Sequence, residues 1–320
     1  MTKKIFSDFH EIYLDIYLIG YPTEGESIVF CLKTDSDVSS FLFVGVIDCY
    51  LNKQCNYTMK LLKNLKISKL DLLCWTHPDL DHSLGIDELL QKYVDNDTVI
   101  SIPISLLEHK EKFNECSQQY CNMFLKRLKQ RKNENKIQLK YTSNGMNVYS
   151  GNYMSSLRDK SYSLRIQALA PDSTLVGNLL NRKTIENNIF SIALCLQFDM
   201  LNVLFAGDIQ NNTIRALKNI WDLPDNFHYI KIPHHGSASS SNFIDFLESQ
   251  KKPIFTGSVA CSTVFSKAGL PDKKILERYR FIVKDVICTS DFIGEADAAI
   301  IYVRFDIDKK TYTITKMVAN

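Results

Sequence analysis

The chain has 320 residues, 45% of them hydrophobic, and a formal net charge of +2 at pH 7, a composition typical of a globular protein with a sizeable core. This charge is too small to indicate nucleic-acid binding by itself, and no run of about 20 apolar residues is present that could span a membrane. The nine cysteines include no Cys-x-x-Cys pair, which favours buried free thiols in a reducing compartment. We therefore expect a single cytoplasmic domain over residues 1–320, without a membrane partner.

The first part of the chain is predicted to alternate strands and helices. Strands are expected at about 11–19, 28–33, 41–48, 70–75 and 98–102, and helices at about 54–66 and 84–93. Residues 104–134 then lack Gly and Pro and read as helical, which is longer than one connection usually requires. We therefore predict a helical insertion at 103–160 within the domain.

The second part repeats the alternation. Strands are expected near 137–141, 162–169, 190–199, 202–206, 228–232, 253–257, 285–289, 298–306 and 310–317. Helices are expected at about 209–221, 241–249 and 271–281, the last with Pro271 in its first turn. Together these elements predict an α/β protein, with two mixed sheets that face each other and helices outside.

The segment from Thr76 to His82 has the highest density of metal-ligand side chains in the sequence. Two imidazoles and two carboxylates, those of His77, Asp79, Asp81 and His82, follow directly after an apolar strand. The alternative is a solvated turn or a helix cap, in which Asp81 caps the following helix. We favour a loop that serves two cations about 3.5–4 Å apart.

Two later strand ends have the same character. A short apolar strand stops at Gly207 and leaves Asp208 at its end, where a carboxylate can bridge two cations. Another strand, closed by Pro233, delivers His234 and His235 to a loop. Gly-Asp alone would be an ordinary turn, but these strand ends converge with the first loop. For His235 the sequence leaves direct ligation, substrate or supporting contact, and surface exposure open.

The motifs at 76–82, 188–194, 205–209 and 232–237 resemble the metallo-β-lactamase superfamily. Within it they are similar to the hydrolase domain of the DNA-uptake channel protein ComEC, which commonly has Asp at the place of Asp79. The resemblance implies a four-layer αβ/βα sandwich. It also implies hydrolysis of DNA by a water activated between two metal ions. Similar free-standing domains also occur as components of bacterial antiphage systems, so the resemblance leaves protein partners open.

The resemblance implies a ligand set, with one departure. We expect His77, Asp79 and Asp208 at one cation and Asp81, His82, Asp208 and His234 at the other, while Asp81 or His235 moves a proton to the leaving group. The ions are expected to be Zn²⁺ or Mn²⁺. Where the superfamily usually has another histidine, this chain has Asn188, either a weaker ligand or an amide that bonds backbone. The first position is therefore expected to bind its ion more weakly.

A basic run within the predicted insertion is the candidate substrate contact. It comprises Lys126, Arg127, Lys129, Arg131 and Lys132. The run could simply form a solvated helix end, or it could contact the phosphates of a nucleic-acid substrate. The sequence thus favours a nuclease or phosphodiesterase. The alternatives are a hydrolase of a small ester, lactone or cyclic nucleotide, and a non-catalytic interaction protein of the same fold.

Overall fold

The computed structural model describes residues 3–36, 40–53, 55–132, 138–217, 223–224, 226–249 and 258–319. Its strands are β1 (Lys3–Ser7), β2 (Ile12–Gly20), β3 (Glu26–Thr34), β4 (Phe41–Ile47), β5 (Leu72–Cys74), β6 (Val99–Pro103), β7 (Gln138–Thr142), β8 (Asn147–Ser155), β9 (Lys160–Ala170), β10 (Ala193–Phe198), β11 (Leu201–Phe205), β12 (Tyr229–Lys231), β13 (Val259–Ser262), β14 (Asp285–Cys288), β15 (Ala298–Asp306) and β16 (Thr311–Ala319). The helices are α1 (Tyr57–Asn64), α2 (Leu80–Ser83), α3 (Ile86–Lys92), α4 (Glu115–Lys132), α5 (Ser173–Leu179), α6 (Asn211–Leu217), α7 (Ser241–Ser249) and α8 (Lys273–Ile282). No helix among these residues is long and apolar enough to cross a membrane.

The strands form two mixed sheets. One has the order β1-β8-β9-β10-β11-β12-β13-β14 and the other the order β16-β15-β2-β3-β4-β5-β6-β7. The last four strands of each order run parallel to one another. Since parallel strands end on the same edge, the loops that follow them gather at one edge of each sheet.

Alternating side chains build the layers. In β3, Ile28 and Phe30 face a core between the two sheets, while Val29 and Cys31 face a second cluster with α1, α3 and α4. On the other sheet Leu204 belongs to a third cluster, shared with α6, α7 and α8. This period of two places apolar residues on both faces of each sheet. The predicted sandwich of two mixed sheets with helices outside is confirmed.

Several element predictions differ from the structure. Strands β1 and β8 were not predicted, because their alternating polar residues give no continuous apolar run. The strand after β12 lies at Val259–Ser262, and the predicted strand at 253–257 lies outside the described residues.

The segment 103–160 is helical only in part. Its long helix begins at Glu115 because the Asn114 side chain accepts a hydrogen bond from the Ser117 N–H at 2.9 Å, which caps the helix. Strand β7 pairs with β6, and β8 with β9. Part of the expected insertion therefore belongs to the two sheets.

Candidate metal centre

The histidine and carboxylate loops meet at one edge of the sandwich. Asp48 follows β4, and the segment from Thr76 to His82 follows β5. From the other sheet, Asp208 follows β11 and His235 follows β12. Each side chain stands at the carboxyl end of a parallel strand, which is the edge where open α/β sheets build their sites.

Three buried histidines are each held through Nδ1. The contacts are His77 to Thr76 Oγ1 at 2.9 Å, His82 to Asp48 Oδ2 at 2.7 Å, and His235 to Thr263 Oγ1 at 2.7 Å. The Nε2 atoms of all three are buried without a hydrogen-bond partner among the described residues. Unpartnered buried nitrogens are costly, and histidine ligands are usually fixed through the other ring nitrogen in this way. The three rings are therefore oriented to present Nε2 to a common centre.

The spacing of the donor atoms fits a shared cation. Asp81 Oδ2 lies 3.3 Å from His82 Nε2 and 3.2 Å from His235 Nε2. Asp208 Oδ2 lies 3.4 Å and 3.3 Å from the same two nitrogens. Tetrahedral ligands with bonds of 2.0–2.1 Å stand about 3.3–3.4 Å apart. We call Asp81, His82, Asp208 and His235 the four-donor cluster.

A second pair of donors lies beside this cluster. His77 Nε2 is 3.3 Å from Asp79 Oδ2, and the rings of His77 and His82 are 4.3 Å apart between centroids. Asn187 donates a hydrogen bond to Asp79 Oδ1, which fixes that carboxylate. This pair offers two donors, against four in the four-donor cluster.

A buried lysine contacts two carboxylates at the centre. Lys231 is fully buried, and its Nζ lies 2.8 Å from Glu26 Oε1 and 3.2 Å from Asp208 Oδ1. Glu26 in turn accepts a hydrogen bond from Thr263 Oγ1 at 2.6 Å, and Thr263 holds His235. One network therefore positions a carboxylate and an imidazole of the four-donor cluster.

The backbone at the centre adopts unusual conformations. His234 and His235 have φ of 48° and 51°, in the left-handed region that costs L residues energy and occurs mostly at functional sites. Gly207 has φ of 54°, and a Cβ there would lie 2.5 Å from the Ile192 carbonyl oxygen. Only glycine tolerates both this φ and this close approach, and the resulting turn positions Asp208, the next residue.

The cluster strongly attracts positive charge. Burial alone would lower the pKa of His235, but Asp208 and Asp81 raise it to about 9. Burial would likewise lower the pKa of His82, yet Asp81, Asp208 and Asp48 raise it well above its ordinary value. Burial would raise the pKa of Asp208, but the charges of His235 and Lys231 hold it well below its usual range. These shifts describe a negative environment that favours cations.

The side chain of His234 does not lie where we expected it from the sequence. We expected it to complete the position of Asp81, His82 and Asp208, but the structure puts His235 there. His234 is partly exposed, its Nδ1 lies 2.9 Å from Ser239 Oγ, and its Nε2 lies 3.4 Å from Asn188 Nδ2. His234 and His235 both have left-handed backbone conformations, and their side chains point in different directions, which cannot be predicted from the sequence motif alone. His235 thus stands among the donor atoms of the four-donor cluster.

Asn188 lies beside His234, with its Nδ2 3.4 Å from His234 Nε2. Its Oδ1 is buried and has no hydrogen-bond partner among the described residues, so the amide does not simply bond backbone through that atom. The oxygen is therefore available as a weak ligand or as a contact for a bound group.

The basic run is divided by the structure. Arg127 forms a bidentate pair with Asp87 of α3, at 2.5 and 2.8 Å, whereas Lys126 and Lys129 are exposed. The side chains of Arg131 and Lys132 lie outside the described residues. Ser117, in the first turn of the same helix, accepts a hydrogen bond from Asn187 at 2.8 Å, and Asn187 also contacts Asp79, so α4 begins beside the centre.

The sequence analysis did not identify the supporting residues Asp48, Glu26, Lys231 and Thr263. Lys231 lies three residues before His234 in an apolar strand, where a buried charge requires a partner; that was the one available signal. The others come from distant strands, and only the fold brings them together.

No protein-family model matches the chain, and no curated protein matches it. Among solved structures, the chain is similar to a diphosphatase from the PhnP family, at 10% identity and a TM-score of 0.42, over 92% of this chain and 98% of that one. It is also similar to CmlA, a diiron β-hydroxylase from Streptomyces venezuelae, at 13% identity and a TM-score of 0.41, over 87% of this chain and 44% of that one. A third is Zn²⁺-bound PqqB from Methylobacterium extorquens, at 8% identity and a TM-score of 0.37, over 85% and 97%. At this distance the fold assignment rests on the strand order of the chain itself.

Proposed function

We propose that the chain is a metal-dependent hydrolase that cleaves phosphodiester bonds, with nucleic acid as its substrate. The main support for a bound metal is the four-donor cluster. In it each of two carboxylate oxygens lies 3.2–3.4 Å from each of two unpartnered imidazole nitrogens. These are spacings of ligands around one ion. The donors are oxygen and nitrogen without a thiolate, which suits Zn²⁺ or Mn²⁺.

The charge balance supports a second ion. Five carboxylates gather at the centre, those of Glu26, Asp48, Asp79, Asp81 and Asp208. Within the described residues the ammonium that faces them is Lys231. With His82 and His235 neutral as metal ligands, two divalent cations would balance the four remaining negative charges, and buried charges without such compensation are costly. The second ion would lie beside His77 and Asp79.

The roles of the chain's residues follow from their contacts. Asp48 and Thr263 fix the tautomers of His82 and His235, while Lys231 neutralises Asp208 from the side away from the centre. When bound, the cations would supply Lewis acidity and an activated water. Asn188, with its free Oδ1, would meet the substrate or the weaker ion.

The substrate class is proposed on two grounds. The motifs resemble the ComEC hydrolase domain, which degrades DNA. The exposed amines of Lys126 and Lys129 would supply phosphate contacts on a helix that starts beside the centre. A polynucleotide can reach both, since Lys126 lies nine residues after Ser117, which is about 14 Å along a helix.

The test is a cleavage assay with purified protein and either Mn²⁺ or Zn²⁺. Plasmid, single-stranded DNA, RNA and bis(4-nitrophenyl) phosphate would be compared. We expect cleavage of the small phosphodiester and of at least one polynucleotide, abolished in Asp208→Asn. The matched control is His109→Ala, which changes a histidine outside the centre.

Three results would contradict the proposal in different ways. Cleavage of the small phosphodiester alone would indicate a small-molecule phosphodiesterase. Hydrolysis of an ester or lactone without phosphodiester cleavage would remove the substrate class. Failure of the protein to retain Zn²⁺ or Mn²⁺ after dialysis would remove the metal centre.

A further inference from the structure

A cationic cleft lies next to the metal centre, between α5 and α6. It encloses about 730 Å³, within the range of ligand pockets. Its floor is apolar, formed by Leu179, Ile185 and Ile189, and its rim carries Arg182, Lys183 and Arg215. We call this feature the α5–α6 cleft.

The cleft shares a wall with the centre. The turn Asn187–Phe190 places Asn187 against Asp79 and Asn188 against His234, while the next residue, Ile189, lines the cleft. Asn212, which also lines the cleft, lies four residues after Asp208. A chain-like ligand with one group at the centre would therefore have its next group in the cleft.

The charges of the rim are available to a ligand. The three rim cations are exposed, and among the described residues none forms an ion pair with a carboxylate. Among the described residues, the acceptors of Arg215 are neutral: its Nε donates to the Asn211 carbonyl at 3.2 Å and its Nη2 to Asn212 Oδ1 at 2.6 Å. Among the described residues of the lining Glu186 is the acidic one and Arg182, Lys183 and Arg215 are basic, so this part of the rim has an excess of positive charge.

We propose that the α5–α6 cleft binds a nucleotide unit next to the scissile phosphodiester, with its phosphate on the cationic rim. This rests on the proposed function and names a second part of its substrate site. The apolar floor would contact the sugar or base, and the guanidinium groups suit phosphate because they donate in a fixed fork. Among the described residues the lining contains no aromatic side chain, and a site that recognises phosphate and sugar would hold the backbone with little preference for sequence.

The test compares two triple variants of the metal-loaded protein. The first, Arg182→Gln/Lys183→Gln/Arg215→Gln, removes the rim charges. The control, Lys63→Gln/Lys66→Gln/Lys92→Gln, removes the same number of exposed charges at the amino ends of β5 and β6, away from the edge that carries the metal centre. The ends of α1 and α3 meet there, as the Leu70 N–H donates to the Tyr93 carbonyl at 2.9 Å.

Binding would be measured with a fluorescent single-stranded DNA of about 12 nucleotides carrying phosphorothioate linkages, at several salt concentrations. The rim variant should bind on the order of tenfold more weakly or worse, with a log–log salt slope lower by about 2, since each lost contact to a single strand removes about 0.7. Its zinc content and its hydrolysis of bis(4-nitrophenyl) phosphate should equal those of the unchanged protein. Arg182→Lys/Arg215→Lys, which keeps the charge, should recover most of the binding.

The outcomes separate the cleft from the proposed function. Equal binding by the rim variant and the unchanged protein would overturn the cleft proposal, as would an equal loss in the rim and control variants. If the unchanged protein does not hydrolyse bis(4-nitrophenyl) phosphate but the rim variant still loses binding, the proposed function fails and the cleft is supported as a nucleic-acid site.

Discussion

Lys231 Nζ lies 3.2 Å from Asp208 Oδ1, while Asp208 Oδ2 faces the imidazoles of His82 and His235. One oxygen of Asp208 is therefore engaged by an ammonium and the other by the centre. From the sequence we expected the Asp208 carboxylate to bridge two cations. In the structure its two oxygens have different surroundings, since Oδ2 is directed at the imidazoles and Oδ1 accepts a hydrogen bond from the ammonium.

The first prediction concerns the buried lysine. Lys231→Met leaves Glu26 and Asp208 buried beside each other without their cation, and removal of one partner from a buried pair costs about 3–5 kcal/mol. We expect a loss of this size in the free energy of unfolding of the protein after chelation, measured in urea. Lys231→Met/Glu26→Gln should lose less, because Glu26 is then uncharged. A single variant as stable as the unchanged protein would show that Lys231 does not compensate these carboxylates.

The second prediction separates the adjacent histidines. His235→Ala should lose the ion held by Asp81, His82 and Asp208, since it removes one of four donors. His234→Ala should retain that ion. Elemental analysis after dialysis against limiting Zn²⁺ gives the answer. The opposite pattern would restore the ligand set expected from the sequence.

Sequence patterns predicted the layers and the strand ends of the site well, for a physical reason. Apolar strands followed at once by His or Asp are a local signal, so the loop from His77 to His82 and the strand end at Asp208 were found without a structure. The choice between His234 and His235 depends on two left-handed φ angles, which local sequence does not specify.

The supporting network was beyond sequence reasoning for a different reason. Glu26 and Thr263 come within 2.6 Å of each other although more than 200 residues separate them in the chain. Their approach depends on the packing of two sheets, and Glu26 has the appearance of an ordinary turn residue. Tertiary contacts of this kind carry no periodic or motif signal.

The third prediction concerns Asn188. Its unpartnered Oδ1 is a weaker donor than an imidazole nitrogen, so the ion beside His77 and Asp79 should dissociate first. We expect Asn188→His to retain more metal per chain after dialysis than the unchanged protein. Asn188→Ala is the matched control and should retain no more than the unchanged protein. Equal retention by the histidine and alanine variants would place residue 188 outside the ligand shell.

The last prediction divides the basic run of α4. Arg127 is held by Asp87 through two hydrogen bonds, so Arg127→Gln should leave the binding of single-stranded DNA unchanged. It should lower the free energy of unfolding by at most about 1 kcal/mol, as is usual for pairs near the surface. Lys126→Gln/Lys129→Gln removes two exposed amines and should lower the log–log salt slope by about 1.4 without affecting stability. Salt-dependent anisotropy and urea unfolding of both variants provide the two readouts. If Arg127→Gln weakens binding as much as the lysine variant, Arg127 leaves Asp87 to contact phosphate; if neither variant changes binding, the run is a solvated helix end and the strand takes another path from the centre.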